Sequence, residues 1–452
     1  MKGVIILLFL VVGSVFSFPE HVIEFEQALD KLGEPEEGGN HWALLVAGSN
    51  GYFNYRHQAD ICHAYQILHS HGIPDERIVV MMYDDIADNR ENPVKDNIIN
   101  RPDGPNVYQN VLKDYTKMEV NPETFINVLK GEKDKVNGKK VIDSGPKDHV
   151  FVNFVDHGGP GILGFGSKML KAQKLIDAIM YMHDQKRYKK LVIYVEACES
   201  GSIFYDLLPK DINAYVTTAS NAHESSYACY FDKTRKTYLG DVYSVKWMED
   251  SDKEDLKSET LQKQFMITKS ETNTSHVQEF GDMSIGDMTV AEFQGMQAAK
   301  GDKFRKAPPR PKDPCEDAVK SEDVPLEILR RSLNLVESKE EAQEIEAKIQ
   351  AINKERYIVD KTVKMIVGIA TDDHVTSTNM METHSNIQDW ECYEQVLDFL
   401  DENCDDHLNI PENDYALRKL YMFVNMCEAR IPVATITSAI EKVCLDATVL
   451  ED

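Results

Sequence analysis

The chain has 452 residues, enough for two or three domains, and its 42% hydrophobic and 28% charged residues place it among globular proteins. With 50 Lys and Arg against 76 Asp and Glu, it carries a formal charge of -26. That balance excludes a general binder of nucleic-acid backbones and a protein that docks on anionic membranes, and the 8 Cys are too dilute for a small disulfide-stapled scaffold.

Met1 and Lys2 open an apolar run from Val4 to Val12, followed by Gly13-Ser14-Val15-Phe16-Ser17. A basic start, a short apolar core and small residues predict a secretory signal peptide over 1–17, and the run is too short to span a bilayer. The expected route is secretory, ending in a lysosome or other acidic vesicle or outside the cell, where disulfides persist. The sequon Asn273-Thr274-Ser275 makes Asn273 a candidate glycan acceptor.

From His41 to about Ser220, buried-strand patterns alternate with helical ones. Trp42–Ala47, Ile78–Tyr83, Val150–Val155, Leu191–Ala197 and Ala214–Thr218 are nearly continuous β-branched or aromatic runs, as parallel strands covered on both faces require. Gln58–His71, Pro122–Leu129 and Leu170–His183 read as the intervening helices. The alternation predicts an α/β fold, an open, mostly parallel sheet with helices on both faces. Near Phe293 the texture changes. Ala307-Pro308-Pro309-Arg310-Pro311-Lys312-Asp313-Pro314 is a Pro-rich linker. Beyond it, Ile345, Ile349, Ile352, Val359, Val363 and Ile366 recur at helical spacing, and no strand pattern follows, so the tail reads as all-helical. Residues 334–452 carry a net charge of -15 and the first 333 carry -11. Two negative bodies gain nothing from overall Coulomb attraction, so local contacts must hold any docked state.

Cys198 ends one strand and enters the turn Glu199-Ser200-Gly201-Ser202, and His157 ends the preceding strand between Asp156 and Gly158-Gly159. In an open α/β sheet, reactive groups gather beyond the carboxyl ends of the strands. Neighbouring strands would thus bring a thiol and an imidazole to one crevice, the pairing that cysteine nucleophiles need. Cys62 and Cys229 read as buried, inert thiols, and Cys315 in the linker has no evident role. Cys392, Cys404, Cys427 and Cys444 in the tail fit two disulfides with three possible pairings. Two weaker patterns are set aside. Gly159-Pro160-Gly161-Ile162-Leu163-Gly164 mimics a dinucleotide motif but contains Pro160 and is not the first strand–helix turn. His57, His63, His69 and His71 lack metal-ligand spacing, so neither metal nor cofactor is expected.

Several long strings in order are similar to the legumain family, the asparaginyl endopeptidases among caspase-like cysteine peptidases. They are Ala47-Gly48-Ser49-Asn50-Gly51, Asn54-Tyr55-Arg56-His57-Gln58-Ala59-Asp60, Asp156-His157-Gly158, Glu196-Ala197-Cys198-Glu199-Ser200-Gly201, Glu224-Ser225-Ser226-Tyr227-Ala228-Cys229 and Trp247-Met248-Glu249-Asp250-Ser251-Asp252. The resemblance implies Cys198 as nucleophile, His157 as general acid and base, Asn54 as its orienting partner, and the N–H groups of Gly158 and Cys198 as an oxyanion hole. It implies a specificity pocket of Arg56, His57, Glu196, Ser225 and Asp241. There Arg56 would serve the oxygen of an Asn carboxamide, and the two acids would accept from its nitrogen.

It further implies a zymogen: a signal peptide over 1–17, a catalytic domain over 18–300 with a short propeptide at its start, a linker and activation segment over 301–334, and an inhibitory helical prodomain over 335–452. Self-cleavage in acid is expected after Asn334 rather than after Asn353, which falls inside the helical pattern. By the same resemblance, Cys392 pairs with Cys427 and Cys404 with Cys444. Val242 and Ala222-His223 depart from the family pattern beside the cleft. The expected partners are peptide or protein substrates and the chain's own tail, with no nucleic acid and no membrane. Two other functions fit the same residues less directly: a peptide ligase using the same acyl-enzyme, and a non-catalytic binder or inhibitor.

Overall fold

The computed structural model describes residues 38–296, 315–371 and 374–445, so the expected signal peptide and the Pro-rich linker Ala307–Pro314 lie outside the described residues. The first part runs β1 (His41–Ala47), α1 (Tyr55–Ser70), β2 (Ile78–Met81), α2 (Pro122–Leu129) and β3 (His149–Val155). A hairpin layer follows, β4 (Gly158–Gly159), β5 (Ile162–Phe165) and β6 (Lys168–Lys171), then α3 (Ala172–Asp184), β7 (Lys190–Glu196) and β8 (Ala214–Thr218). β9 (Tyr227–Asp232), β10 (Thr237–Asp241), α4 (Val242–Ser251), α5 (Leu261–Glu271) and β11 (Gln278–Gly281) complete this part.

The main sheet has six strands in the order β11-β8-β7-β3-β1-β2, all parallel except β11 at the edge. Period-two alternation splits each of the five parallel strands between two cores. Ala43, Leu45 and Ala47 of β1 face the core that contains residues of α1, α4 and α5, whereas Leu44 and Val46 face the core of α2 and α3. Local chemistry sets the helix starts: Pro122 occupies the first turn of α2, and the Asn121 side chain accepts from Thr124 N–H.

After the linker come β12 (Val319–Lys320), α6 (Val324–Leu333), α7 (Lys339–Ala370), α8 (His374–Glu382), α9 (Trp390–Asn403), α10 (Tyr421–Glu428) and α11 (Val433–Cys444). Ser338 caps α7 by accepting from Glu341 N–H. Val359, Val363 and Ile366 of α7 lie in one core with Val396, Leu400, Phe423 and Ile440. Disulfides Cys392–Cys427 and Cys404–Cys444 tie this helical body together, as the resemblance implied. Ile162 of the hairpin layer belongs to the same core, so the body is docked rather than detached.

The body over 335–452 is all-helical among its described residues, as expected, and in the activation segment before it β12 adds to β9, which pairs with β10 in a second sheet. Two expectations are corrected. Leu170, expected to begin a helix, ends its life as a strand residue of β6, and the helix starts at Ala172. Cys229, read as a free thiol, is bonded to Cys315. Short antiparallel strands and long-range bridges depend on partners that local periodicity does not reveal.

Candidate active site

β3 and β7 are adjacent, parallel and registered Val155 to Glu196, so His157 and Cys198, each two residues further on, leave the sheet at the same level. The ladder runs one rung past the strands, with Asp156 N–H donating to the Glu196 carbonyl at 3.1 Å. Glu199 then takes a left-handed φ of 47°, uncommon outside glycine, which turns the chain sharply just after Cys198. Gly158 has to be glycine because of close approach: a Cβ there would lie 2.3 Å from the Cys198 carbonyl oxygen.

The imidazole of His157 is held from both sides. Its Nε2 lies 3.0 Å from Asn54 Oδ1, and the Asn54 amide is anchored by donating to the Asn50 carbonyl at 3.0 Å. Its Nδ1 lies 3.2 Å from Asp414 Oδ2 and 3.3 Å from Ser321 Oγ. Burial pulls the imidazole pKa down, but the Asp414 carboxylate outweighs it and raises it above the usual range.

Cys198 is fully buried. Its sulfur accepts from Ser226 N–H at 3.3 Å, and its ligating atom lies within 4.8 Å of carboxylate oxygens of Glu322 and Asp414. Burial, then the Asp414 charge, pushes the thiol up to about 12, although Arg418 counters. In this closed form the sulfur is therefore a neutral thiol, shielded and unreactive.

Beside it lies a pocket of buried charge. Arg56 donates from Nε to Asp241 Oδ1 at 2.8 Å and from Nη1 to the Phe53 carbonyl at 3.1 Å. Its Nη2 donates to Ser321 Oγ at 2.9 Å. Glu196 Oε2 accepts from both N–H and Oγ of Ser244, at 2.8 and 2.9 Å. Glu196 Oε1 and Asp241 Oδ2 are buried with no hydrogen-bond partner. Buried acceptors of this kind call for an explanation, and a polar side chain bound beside them supplies one. His57 sits between Ser49, 2.6 Å from Nδ1, and Asp241, 3.7 Å from Nε2. Burial and then Arg56 hold it well below the usual imidazole range, so it is neutral here. Asp60 lies behind Asp241 with its Oδ1 accepting from Asn100 at 2.6 Å, and burial and the Asp241 charge raise its carboxyl well above the ordinary range. Ser225, the remaining expected pocket residue, donates its hydroxyl to Glu322 Oε2 at 2.6 Å.

All nine expected catalytic and pocket residues thus lie around one cleft, and the tail fills it. Arg418 pairs with Glu199, Asp414 with His157, and Lys171 with Asp398, while Tyr393 donates to the Pro160 carbonyl at 2.8 Å. These are the local contacts that two negative bodies require. Ser321, Glu322, Asp414 and Arg418 were not legible as site residues. Each is an ordinary polar residue of a helix or loop, and only docking gives it a role. The decoy glycines form the β4–β5 hairpin, with Gly161 facing the Trp390 ring. The four clustered histidines, three in α1 and His71 just past its end, have separate surroundings: His63 meets Asn100 and Asp252, and His69 meets Asp75.

Residues 41–296 match the model of the Peptidase C13 family, and residues 347–444 match that of the legumain prodomain. Legumain of Mus musculus is 48% identical over 423 residues, covering 91% of this chain and 94% of that protein. Legumain of Homo sapiens is 47% identical over 419 residues, covering 92% and 95%. A vacuolar-processing enzyme of Vicia sativa is 38% identical over 434 residues, covering 90% and 86%. Among solved structures, caspase-1 from Spodoptera frugiperda aligns with a TM-score of 0.35 at 10% identity, over 58% of this chain and 92% of that one. A strand-tip thiol and imidazole, a charged pocket and a docked helical tail accompany matches over nine-tenths of the sequence: the chain belongs to the Peptidase C13 family and is a cysteine endopeptidase with a legumain prodomain.

Proposed function

We infer that the protein cleaves peptide bonds after Asn, and after Asp only in acid, and that it is made as a zymogen which opens itself at low pH. The observation that carries the specificity is the pocket's unused hydrogen-bonding capacity. Arg56 Nη2, now occupied by the Ser321 hydroxyl, is a donor for a carboxamide oxygen, and Glu196 Oε1 and Asp241 Oδ2 are acceptors for its two N–H groups. A site of this kind rejects side chains that leave its buried polar groups unpaired.

In the open enzyme, His157 takes the proton of Cys198, oriented by Asn54. The thiolate attacks the scissile carbonyl, and the N–H groups of Gly158 and Cys198 stabilise the oxyanion. His157 then protonates the leaving amine, and water hydrolyses the thioester. Residues 1–17 serve as signal peptide, 18–300 as catalytic domain, 301–334 as linker and activation segment, and 335–452 as inhibitor. Asn334, exposed at the end of α6, is the activating cut, and Asn353 stays inside α7. Asn273 is exposed, as a glycan acceptor on a secreted or lysosomal protein must be. Among the described residues no helix is long and apolar enough to cross a membrane.

The test is acid incubation followed by assay on Asn-containing fluorogenic peptides, with Cys198→Ala as control. Hydrolysis after Asn by wild type alone supports the reading. Equal hydrolysis by the control, or cleavage that ignores the residue before the bond, overturns it.

A further inference from the structure

Cys315 lies just past the Pro-rich linker, and its partner Cys229 is in β9, the strand that borders the cleft. Between this bond and the exposed Asn334, the chain is laid over the active site. The Asp317 carboxylate accepts from the N–H groups of Tyr230 at 2.9 Å and Phe231 at 2.6 Å. Val319 and Lys320 pair antiparallel with Ala228 and Tyr227, in the manner of an added strand. Ser321 takes up Arg56 and His157, Glu322 takes up Ser225, and Val324 and Ile328 bury themselves against Ala228 and Tyr238. A cut after Asn334 releases the helical body beyond it but leaves this stretch attached.

We propose that the Cys229–Cys315 disulfide keeps residues 315–334 covalently seated on the catalytic domain after proteolysis, so that full opening of the cleft also requires reduction of this bond by a thiol. The proposal rests on the reading of 315–334 as the segment that closes the cleft. Two links hold the segment: the peptide chain through 297–314 and the disulfide. Cutting the first leaves the second. A segment on a short tether rebinds as if present at roughly millimolar concentration, at the top of the usual range of KM values.

The chemistry is thiol–disulfide exchange. A thiolate attacks one sulfur of the pair, the other leaves as thiolate and takes a proton, and a second thiol resolves the mixed disulfide. Two thiols become one disulfide, and Cys229 and Cys315 are reduced. Cys229 is 0% and Cys315 6% exposed, so no thiol reaches the bond while the segment is docked. Loosening in acid and the cut therefore come first, and reduction second. In acid few ordinary thiols are ionised, which prolongs the tethered state unless the reductant has a low pKa.

Trypsin supplies both backbone cuts without the protein's own specificity, after Lys300, Lys303, Arg305 or Lys306 and after Arg330. Full-length wild type and Cys315→Ser are nicked, moved to acid, passed over a size-exclusion column with or without a phosphine reductant active in acid, and analysed by mass spectrometry and peptide hydrolysis. Unreduced wild type should retain the peptide containing Cys315, and reduction should release it and raise kcat/KM at least tenfold. Cys315→Ser should lose the peptide without reductant and gain less than twofold on reduction. Release from unreduced wild type overturns the proposal, as does retention by Cys315→Ser or an equal response of both proteins. If the variant does not fold, peptide loss from wild type on reduction still decides. A nicked protein with no Asn-directed hydrolysis under any condition defeats the functional reading, while the mass measurement still judges the tether.

Discussion

Replacing Asp414 by Asn removes one charge from the closed interface and keeps its shape. The carboxylate lies 3.2 Å from His157 Nδ1, and the two side chains are only 10% and 14% exposed. Burial favours the neutral form of each, but the pairing wins: Asp414 lies below the ordinary carboxyl range and His157 above the ordinary imidazole range. A lowered carboxyl supports closure above its free pKa, and that support is lost as pH falls through the docked value. A raised imidazole supports closure below its free pKa, and that support is lost as pH rises through the docked value. The pair thus steadies the zymogen between the ordinary carboxyl and imidazole ranges and lets go in acid. A charge-assisted hydrogen bond contributes about 2 kcal/mol, roughly thirtyfold in the docking equilibrium. Asp414→Asn should self-process up to that factor faster at about pH 6, with the midpoint of activation moved upward. Gel analysis of the cut form and Asn-peptide hydrolysis across the pH range measure both. The variant should also expose a more readily alkylated Cys198, because the largest charge raising that thiol is gone. A midpoint that stays put or moves down would falsify the assignment of Asp414 as the acid-sensitive contact.

Glu322 has the opposite sign. Burial and then the Asp414 charge raise it to about 7, so its contribution to closure is full below the free carboxyl range and fades as pH rises through about 7. Glu322→Gln in a Cys198→Ala background should flatten the fall in Tm between the free carboxyl range and about pH 7, and parallel melting curves refute this. For substrates, cleavage after Asp relative to Asn should rise by up to about tenfold for each pH unit of acidification above the bound carboxyl's pKa, since an ionised Asp faces Glu196 and Asp241; a constant ratio on paired peptides contradicts it. Gly158→Ala should lower kcat by about 100-fold and lower Tm as well, because the added methyl forces aside the buried Cys198 carbonyl and one oxyanion donor with it; near-normal kcat tells against that hole. N-terminal sequencing of the acid-released tail should begin at Leu335, and a start elsewhere moves the activating cut.

The sequence by itself determined the parallel sheet, because strands buried on both faces must be apolar throughout and therefore stand out. It also determined where Cys198 and His157 sit, since each interrupts such a run at its carboxyl end. The tail disulfides and the pocket residues were legible through family strings rather than through periodicity. What only the tertiary structure decided is the closed state. Asp414, Arg418, Ser321 and Glu322 come from segments far from Cys198 in sequence, and their charges acquire meaning only where packing removes water and sets them against His157, Glu199, Arg56 and Ser225. The Cys229–Cys315 bond was hidden for the same reason: a two-residue strand laid along β9 has no periodic signature, and the cysteines meet only once that strand is in place.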